Sequence, residues 1–170
     1  MSFILAGIVA AVCLVADQIT KYIVSSNMIQ YESIPFIDGL INFTYIRNPG
    51  AAWGILGGKT WLLLIFTAVI MAIVVIILVK DKLKRKLLFW SGCLIISGGI
   101  GNMIDRIFNG GEVVDFIETA FMDFPVFNIA DCAVVIGAGL LILYFILDTV
   151  AEAVKKKNKE ATDSQCAEEE

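Results

Sequence analysis

Histidine is absent from this sequence of 170 residues, and its absence excludes several classes of active site. A chain without imidazole has no Ser-His-Asp or Cys-His nucleophile and no histidine-ligated metal. Cysteine is scarce, and Cys13, Cys93, Cys132 and Cys166 form no C-x-x-C pair, so the sequence predicts neither a disulfide framework nor a zinc site. We expect the three that lie in apolar runs to be buried, small apolar side chains. We expect no metal or other cofactor.

Apolar residues, in contrast, are in excess. The chain is 58% hydrophobic and its mean hydropathy is +0.82, whereas soluble domains have about 45–50% apolar residues. The excess is concentrated in blocks, which is typical of a membrane protein. The net charge of −4 says little about partners because acidic residues crowd the C-terminal tail, and we expect no nucleic-acid binding. The length predicts one domain.

Four of these blocks are long enough to cross a bilayer, whose core of about 30 Å needs about 20 helical residues. They run over about 3–24, 61–79, 87–104 and 129–147. The first block has no basic n-region and no cleavage site, so we expect a retained helix and not a cleaved signal peptide. The sequence thus predicts an all-α polytopic membrane domain over 1–150, followed by a charged, disordered tail over 151–170.

Lysine and arginine are distributed unevenly between the connections. The segment "KDKLKRK" (80–86) joins the second and third spans, and "KKKNK" (155–159) follows the fourth. The two longer connections contain only three basic residues, Arg47, Lys59 and Arg106. Because basic loops stay in the cytoplasm, both termini are predicted to be cytoplasmic and the longer connections to face outward.

The first outward connection has the pattern of a β-hairpin. In "SIPFIDGLINFTYI" (33–46), Asp38-Gly39 separates two apolar segments, and apolar and polar residues alternate after the turn. We therefore expect a small extracytoplasmic β ribbon. The segment "NPGAAWGILGG" (48–58) is typical of a turn that permits close backbone approach, and the glycines of "SGGIGN" (97–102) are typical of helix packing.

Polar side chains occur near the outward ends of the predicted spans, where charged groups are costly and are candidates for function. They are Asp17, Lys21, Asn102, Asp105, Arg106, Asn128 and Asp131, while Asn48 and Asp115 lie in the two outward connections. Structural explanations are available for several. Asp17 and Lys21 are four residues apart and can pair on a helix. Asn128 can cap the fourth helix, with Asp131 facing its dipole, and Asp115 can be a solvated loop acid.

Considered together, two of these residues indicate acid–base chemistry. Asp115 has apolar neighbours, and Asp131 enters the fourth span directly after Phe127. If the two carboxyl groups lie close, they share a proton, so that one can deprotonate water while the other polarises a carbonyl. A transporter or channel would instead distribute its acids across the bilayer depth, and a non-catalytic scaffold would leave these polar residues unexplained.

Five motifs in order make the chain resemble the bacterial lipoprotein signal peptidases (signal peptidase II), from about residue 10 to residue 147. They are "DQITK" (17–21), "RNPGAAWG" (47–54), "GGIGNMIDR" (98–106), "VVDF" (113–116) and "FNIAD" (127–131). The resemblance implies an aspartyl endopeptidase with Asp115 and Asp131 as its catalytic dyad. It implies substrate-binding roles for Asn48, Asn102, Arg106 and Asn128, and a structural role for Asp17 and Lys21.

The resemblance also implies a substrate and a location. The substrate would be a prolipoprotein whose lipobox cysteine carries diacylglycerol, and the enzyme would cut just before that cysteine. The family is inhibited by the cyclic peptide globomycin. We expect a monomer in the bacterial cell membrane, in contact with lipids, whose active site lies near the extracytoplasmic face.

Overall fold

The computed structural model describes residues 2–50, 56–80 and 85–168. Within these ranges the chain forms four helices, α1 (Ser2–Asn27), α2 (Thr60–Lys80), α3 (Lys86–Phe108) and α4 (Ile129–Glu168). It also forms three strands, β1 (Ser33–Ile37), β2 (Ile41–Asn48) and β3 (Val113–Thr119). Each of the helices contains a stretch apolar and long enough to cross a membrane. The predicted class, a polytopic helical protein with a small sheet, is confirmed.

Helix α3 is the centre of the bundle, because α1, α2 and α4 all pack against it. Glycine permits this approach: a Cβ at Gly98 would lie 2.2 Å from the backbone oxygen of Ala130, and one at Gly101 would lie 2.8 Å from Asp17 Oδ2. Ser97 donates a hydrogen bond of 2.7 Å to the Ala10 carbonyl on α1. The packing role predicted for "SGGIGN" is therefore confirmed.

These contacts predict that Gly98→Ala destabilises the bundle. The new methyl group would collide with a backbone oxygen, which cannot move without shifting α4, and overpacking of this kind costs about 1–3 kcal/mol. Gly139→Ala on α4 is the matched control, since a Cβ there meets nothing within 4 Å. Thermal unfolding in detergent should show a lower midpoint for the first variant alone. Equal midpoints would mean that the helices separate easily at this glycine.

The sheet has the order β1-β2-β3, with both pairs antiparallel. The predicted hairpin is present, and Gly39 supplies the positive φ of 71° that its turn requires. The alternation predicted for the second strand is interrupted, because an irregularity between Phe43 and Ile46 leaves both Thr44 and Tyr45 buried. Strand β3 was not predicted. Its Val114 and Phe116 pack with Tyr45 and Val24 of α1, which ties the sheet to the bundle.

The C-terminal segment differs from its prediction. Helix α4 continues to Glu168, whereas the polarity of the tail predicts disorder after about residue 150. The segment is rich in alanine, glutamate and lysine, which are good helix formers, so nothing in it breaks the helix. The domain boundary at that point stays a prediction. Residues 51–54 of the "RNPGAAWG" motif, the following residue 55, and residues 81–84 of the basic loop lie outside the described residues.

Candidate active site

A cavity of about 520 Å³ lies where the end of β2, strand β3 and helices α3 and α4 meet. Five of the six predicted site residues line it, and they come from all four elements: Asn48, Asn102, Arg106, Asp115 and Asp131. The sixth, Asn128, has no exposed surface and lies behind the cavity wall. Phe124–Phe127 and the α4 residues Val135 and Ile136 make the remaining wall largely apolar.

Asp131 is held in the first turn of α4 by a reciprocal cap. Asn128 Oδ1 accepts a hydrogen bond from the Asp131 backbone N–H at 2.9 Å, and Asp131 Oδ2 accepts one from the Asn128 N–H at 3.1 Å. This is the arrangement of a capping box, so the predicted N-cap is confirmed. The other oxygen, Oδ1, accepts a hydrogen bond of 2.7 Å from Asn102 Nδ2. The cap therefore fixes a carboxyl group that also faces the cavity.

Asp115 lies on β3 and is only 3% exposed, so the interpretation as a solvated loop acid is wrong. Two amides hold it: Asn48 Nδ2 donates to Oδ2 at 2.9 Å and Asn128 Nδ2 donates to Oδ1 at 2.6 Å. Burial raises the pKa of Asp115 to about 7, with a further contribution from the negative charge of Asp131, while the two amides oppose the rise. Asp115 therefore keeps its proton up to about neutral pH.

Asn128 joins the two carboxyl groups. Its side-chain amide donates to Asp115 while its backbone N–H donates to Asp131. One residue thus contacts both acids and helps to set their positions. The sequence allows Asn128 both a cap role and a site role, and one side chain makes the contacts to the α4 backbone and to Asp115.

Arg106 brings a positive charge to the same cavity. Its Nη2 donates to the Gly50 carbonyl at 3.1 Å, and its Nη1 donates to the Asn102 carbonyl at 3.3 Å. Its Nε is buried and has no hydrogen-bond partner among the described residues. A buried guanidinium with an unused donor at a cavity wall is suited to binding a carbonyl or carboxylate oxygen.

Asp17 and Lys21 form the predicted i,i+4 pair, with 2.9 Å between Nζ and Oδ2. Their contacts go further than that prediction. Lys21 also lies 3.2 Å from Asp105 Oδ2, and Asp17 Oδ1 accepts a hydrogen bond of 2.8 Å from the Ala130 N–H in α4. Asp105 in turn accepts a bond of 3.0 Å from the Val114 N–H of β3. This buried cluster ties α1 to α3, to α4 and to the strand that carries Asp115.

Several residues near the carboxyl pair were not identified from the sequence. Gln18 donates to Asp17, Asp105 and the Gly101 carbonyl. The wall segment Phe124–Phe127 has no periodic pattern, and only its position directly before "NIAD" indicates a role. Cys132 was expected to be buried, but it is half-buried and lines the cavity. Cys13 and Cys93 are also half-buried free thiols.

A second, smaller cavity of about 280 Å³ adjoins the first. It shares Asn102, Arg106 and Asp131 with the first cavity, and α2, α3 and α4 supply its apolar walls: Leu63, Thr67, Ile70, Met71, Ile95, Gly99 and Val134. Asp131 thus lines both cavities. Within residues 2–50, 56–80 and 85–168, no group of three or more His, Cys, Asp or Glu side chains is arranged to hold a metal ion.

Known proteins resemble this chain in sequence and in architecture. The profile of the family described as Signal peptidase (SPase) II matches residues 9–147. The lipoprotein signal peptidase of Bacillus pumilus is 43% identical over 157 residues, which cover 91% of this chain and 97% of that protein. The corresponding protein of Staphylococcus aureus is 41% identical over 155 residues, or 90% and 92% of the two chains.

Solved structures give the same result. A bacterial membrane enzyme determined by the in meso method at 2.3 Å resolution superimposes with a TM-score of 0.79 and 39% identity, covering 85% of this chain and 88% of that one. A related structure at 1.9 Å resolution superimposes with a TM-score of 0.75, also at 39% identity, over 82% and 91% of the two chains. This four-helix chain, with its paired aspartates, belongs to the signal peptidase II family.

Proposed function

We propose that this chain is an aspartyl endopeptidase that removes the signal peptide from diacylglyceryl-modified prolipoproteins by cutting just before the modified cysteine. Family membership and the relatives' name, lipoprotein signal peptidase, support the substrate class. One observation supports the aspartyl mechanism above all: Asp115 and Asp131 face one cavity and are bridged by Asn128.

The two carboxyl groups are held by different partners, and we assign them different roles. Asp115, whose pKa is about 7 because of burial and the neighbouring charge, supplies the proton that polarises the carbonyl oxygen of the scissile bond. Asp131 accepts hydrogen bonds from Asn102 and from the Asn128 N–H at a helix N-terminus, which hold it where it can take a proton from water.

Hydrolysis then proceeds with water as the nucleophile. Asp131 takes a proton from the water while the water oxygen bonds to the carbonyl carbon. At the same time Asp115 gives its proton to the carbonyl oxygen. The tetrahedral intermediate collapses when the C–N bond breaks. The leaving amine takes the proton held by Asp131, and Asp115 recovers its own from the new carboxyl group. Both residues return to their starting protonation states.

The remaining site residues position the substrate or hold one of the two acids. Among the described residues, the buried Nε donor of Arg106 has no partner, and its place at the cavity wall suits a peptide carbonyl on either side of the cut. Asn48 holds Asp115 from the sheet side. The apolar walls of the two adjoining cavities suit an apolar signal peptide and acyl chains, which arrive from the bilayer.

The charge distribution supports a location for the site. Lys80 and Arg85 flank the loop between α2 and α3, and Lys155–Lys157 follow the apolar part of α4. The carboxyl pair lies at the opposite ends of these helices. Positive-inside orientation then places both termini in the cytoplasm and the site near the outer face of the bacterial cell membrane. As an enzyme of this family, the proposed monomer would be inhibited by globomycin.

The decisive experiment uses purified protein in lipid with a diacylglyceryl-modified prolipoprotein. A mobility shift and a new N-terminus at the modified cysteine are expected, and mass spectrometry identifies both products. The same prolipoprotein without the lipid is the control and should remain uncut. Cleavage that is equally fast without the lipid, or no cleavage of either substrate, would contradict the proposed function.

The pKa of Asp115 predicts the pH dependence of the proposed reaction. Because Asp115 acts with its proton on, kcat should fall as the pH rises through its pKa of about 7. The decrease should approach tenfold per pH unit on the alkaline side. A profile measured in detergent from pH 5 to 9 tests this. A rate that rises through neutral pH would mean that Asp115 acts as the base instead.

A further inference from the structure

Lys21 is the cation of the buried cluster that adjoins the carboxyl pair. Its side chain on α1 is 3% exposed, and Nζ lies 2.9 Å from Asp17 Oδ2 and 3.2 Å from Asp105 Oδ2. It donates a third hydrogen bond of 3.0 Å to Asn102 Oδ1. An ammonium group has three N–H donors, so this group is fully used. Lys21 lines neither cavity and therefore does not touch the substrate.

The ammonium group determines which way the Asn102 amide points. Asn102 Oδ1 faces two donors, Lys21 Nζ at 3.0 Å and Asn128 Nδ2 at 3.2 Å. The amide Nδ2 must then point the other way, where it donates to Asp131 Oδ1 at 2.7 Å. The reversed amide would put N–H groups against an ammonium and an oxygen against a carboxylate. Lys21 thus selects the Asn102 conformation that holds Asp131.

A second connection from Lys21 reaches the same carboxyl group through the backbone. Asp17, which pairs with Lys21, accepts the Ala130 N–H at 2.8 Å. Ala130 directly precedes Asp131 in the first turn of α4, where N–H groups have no partner within the helix. Asp17 has no exposed surface, and a buried carboxylate is tolerated as an anion only beside a cation. Both connections converge on Asp131.

We propose that Lys21 is a positioning residue for peptide hydrolysis, which sets the orientation of Asp131 through the Asn102 amide and through the contact between Asp17 and Ala130. The inference rests on the proposed function. It gives Lys21 a role beyond the structural ion pair that the sequence predicts. A structural residue would affect only the folded fraction of the enzyme, whereas a positioning residue affects kcat in protein that is fully folded.

The test needs a variant that removes Lys21 without leaving an extra buried charge. Lys21→Met alone leaves Asp17 and Asp105 unpaired and can unfold the bundle. The double variant Lys21→Met/Asp17→Asn keeps the net charge of the cluster and keeps an oxygen for the Ala130 N–H. Asp105 retains the hydrogen bonds that Gln18 and the Val114 N–H donate to it. Lys21→Arg retains the cation, and Lys155→Met, at an exposed position on α4, is the control for loss of a lysine elsewhere.

Thermal unfolding, kcat, KM and the pH profile would be measured on all variants with the diacylglyceryl-modified substrate. The double variant should unfold at nearly the wild-type temperature, with unchanged KM and with kcat lower by at least about tenfold, because small misplacements of a catalytic group have effects of this size. Lys21→Arg should recover part of kcat, and Lys155→Met should match the wild type.

The pH profile adds a readout that a structural role would not move. The charges facing Asp115 are Asp131 on α4, Arg106 on α3 and Lys21 on α1. Lys21 lowers the pKa of Asp115, so its removal should move the alkaline limb of kcat to higher pH, while Lys21→Arg should keep that limb in place.

Each outcome decides the matter. A folded double variant with wild-type kcat and profile overturns the inference. A double variant that fails to fold also overturns it, because Lys21 would then be a structural residue. An inert wild type contradicts the proposed function and not the positioning role, so the two failures are distinguishable.

Discussion

Asp115→Asn and Asp131→Asn are each expected to lower kcat by about 10²–10⁴-fold, the usual contribution of a general acid or base. Asparagine keeps the size of aspartate and one of its two acceptor oxygens but can neither release nor take up a proton at these pH values. The two losses should not add. Each acid is needed in the same step, so the double variant should be about as slow as either single variant.

Folding must be separated from catalysis in these variants. Asp115 accepts hydrogen bonds from Asn48 and Asn128, and an amide placed there would turn one N–H toward another N–H. Thermal unfolding and substrate binding by the inactive variants would show whether the site survives. Asp123→Asn is the matched control, because Asp123 is exposed between β3 and α4. If either active-site variant cuts at near the wild-type rate while folded, that aspartate is not catalytic.

The transmembrane part of the fold was predictable because its signal is strong and local. Helices α2 and α3 begin and end within a few residues of the apolar runs 61–79 and 87–104. Strand β3 was missed for a physical reason. Its Val113, Val114 and Phe116 are buried on both sides of the strand, so no alternation appears in the sequence, and the strand exists only because β2 is there to pair with it.

The site was predictable in composition but not in arrangement. Motif spacing places Asn102, near the C-terminus of α3, and Asp131, near the N-terminus of α4, on the same side of the membrane. It does not show that the Asn102 amide donates a hydrogen bond to the Asp131 carboxyl group. Asp105 and Gln18 received no role because the hydrogen bonds from Gln18 to Asp105 and to the Gly101 carbonyl join residues 87 and 83 positions apart. The contact between Asp17 and Ala130, 113 residues apart, forms only where Gly101 allows α1 and α3 to approach.

Asn128 offers the sharpest separation of a structural from a catalytic role. Asn128→Ser keeps a side-chain oxygen that can cap α4, since serine is as good an N-cap as asparagine. It removes the amide N–H groups that reach Asp115 and Asn102. We therefore expect an unfolding temperature close to that of the wild type, with kcat lower by about 100-fold because the bridge between the carboxyl groups is lost.

Asn128→Ala is the paired variant, since it removes the cap as well as the bridge. Its activity should match that of the serine variant, while its stability should be lower by about 1 kcal/mol, the usual cost of a lost N-cap. The Asn128 amide also lowers the pKa of Asp115. In both variants kcat should therefore begin to fall at a higher pH than in the wild type. Full activity in Asn128→Ser would show that the cap alone is required, and that the two aspartates keep their geometry without an amide between them.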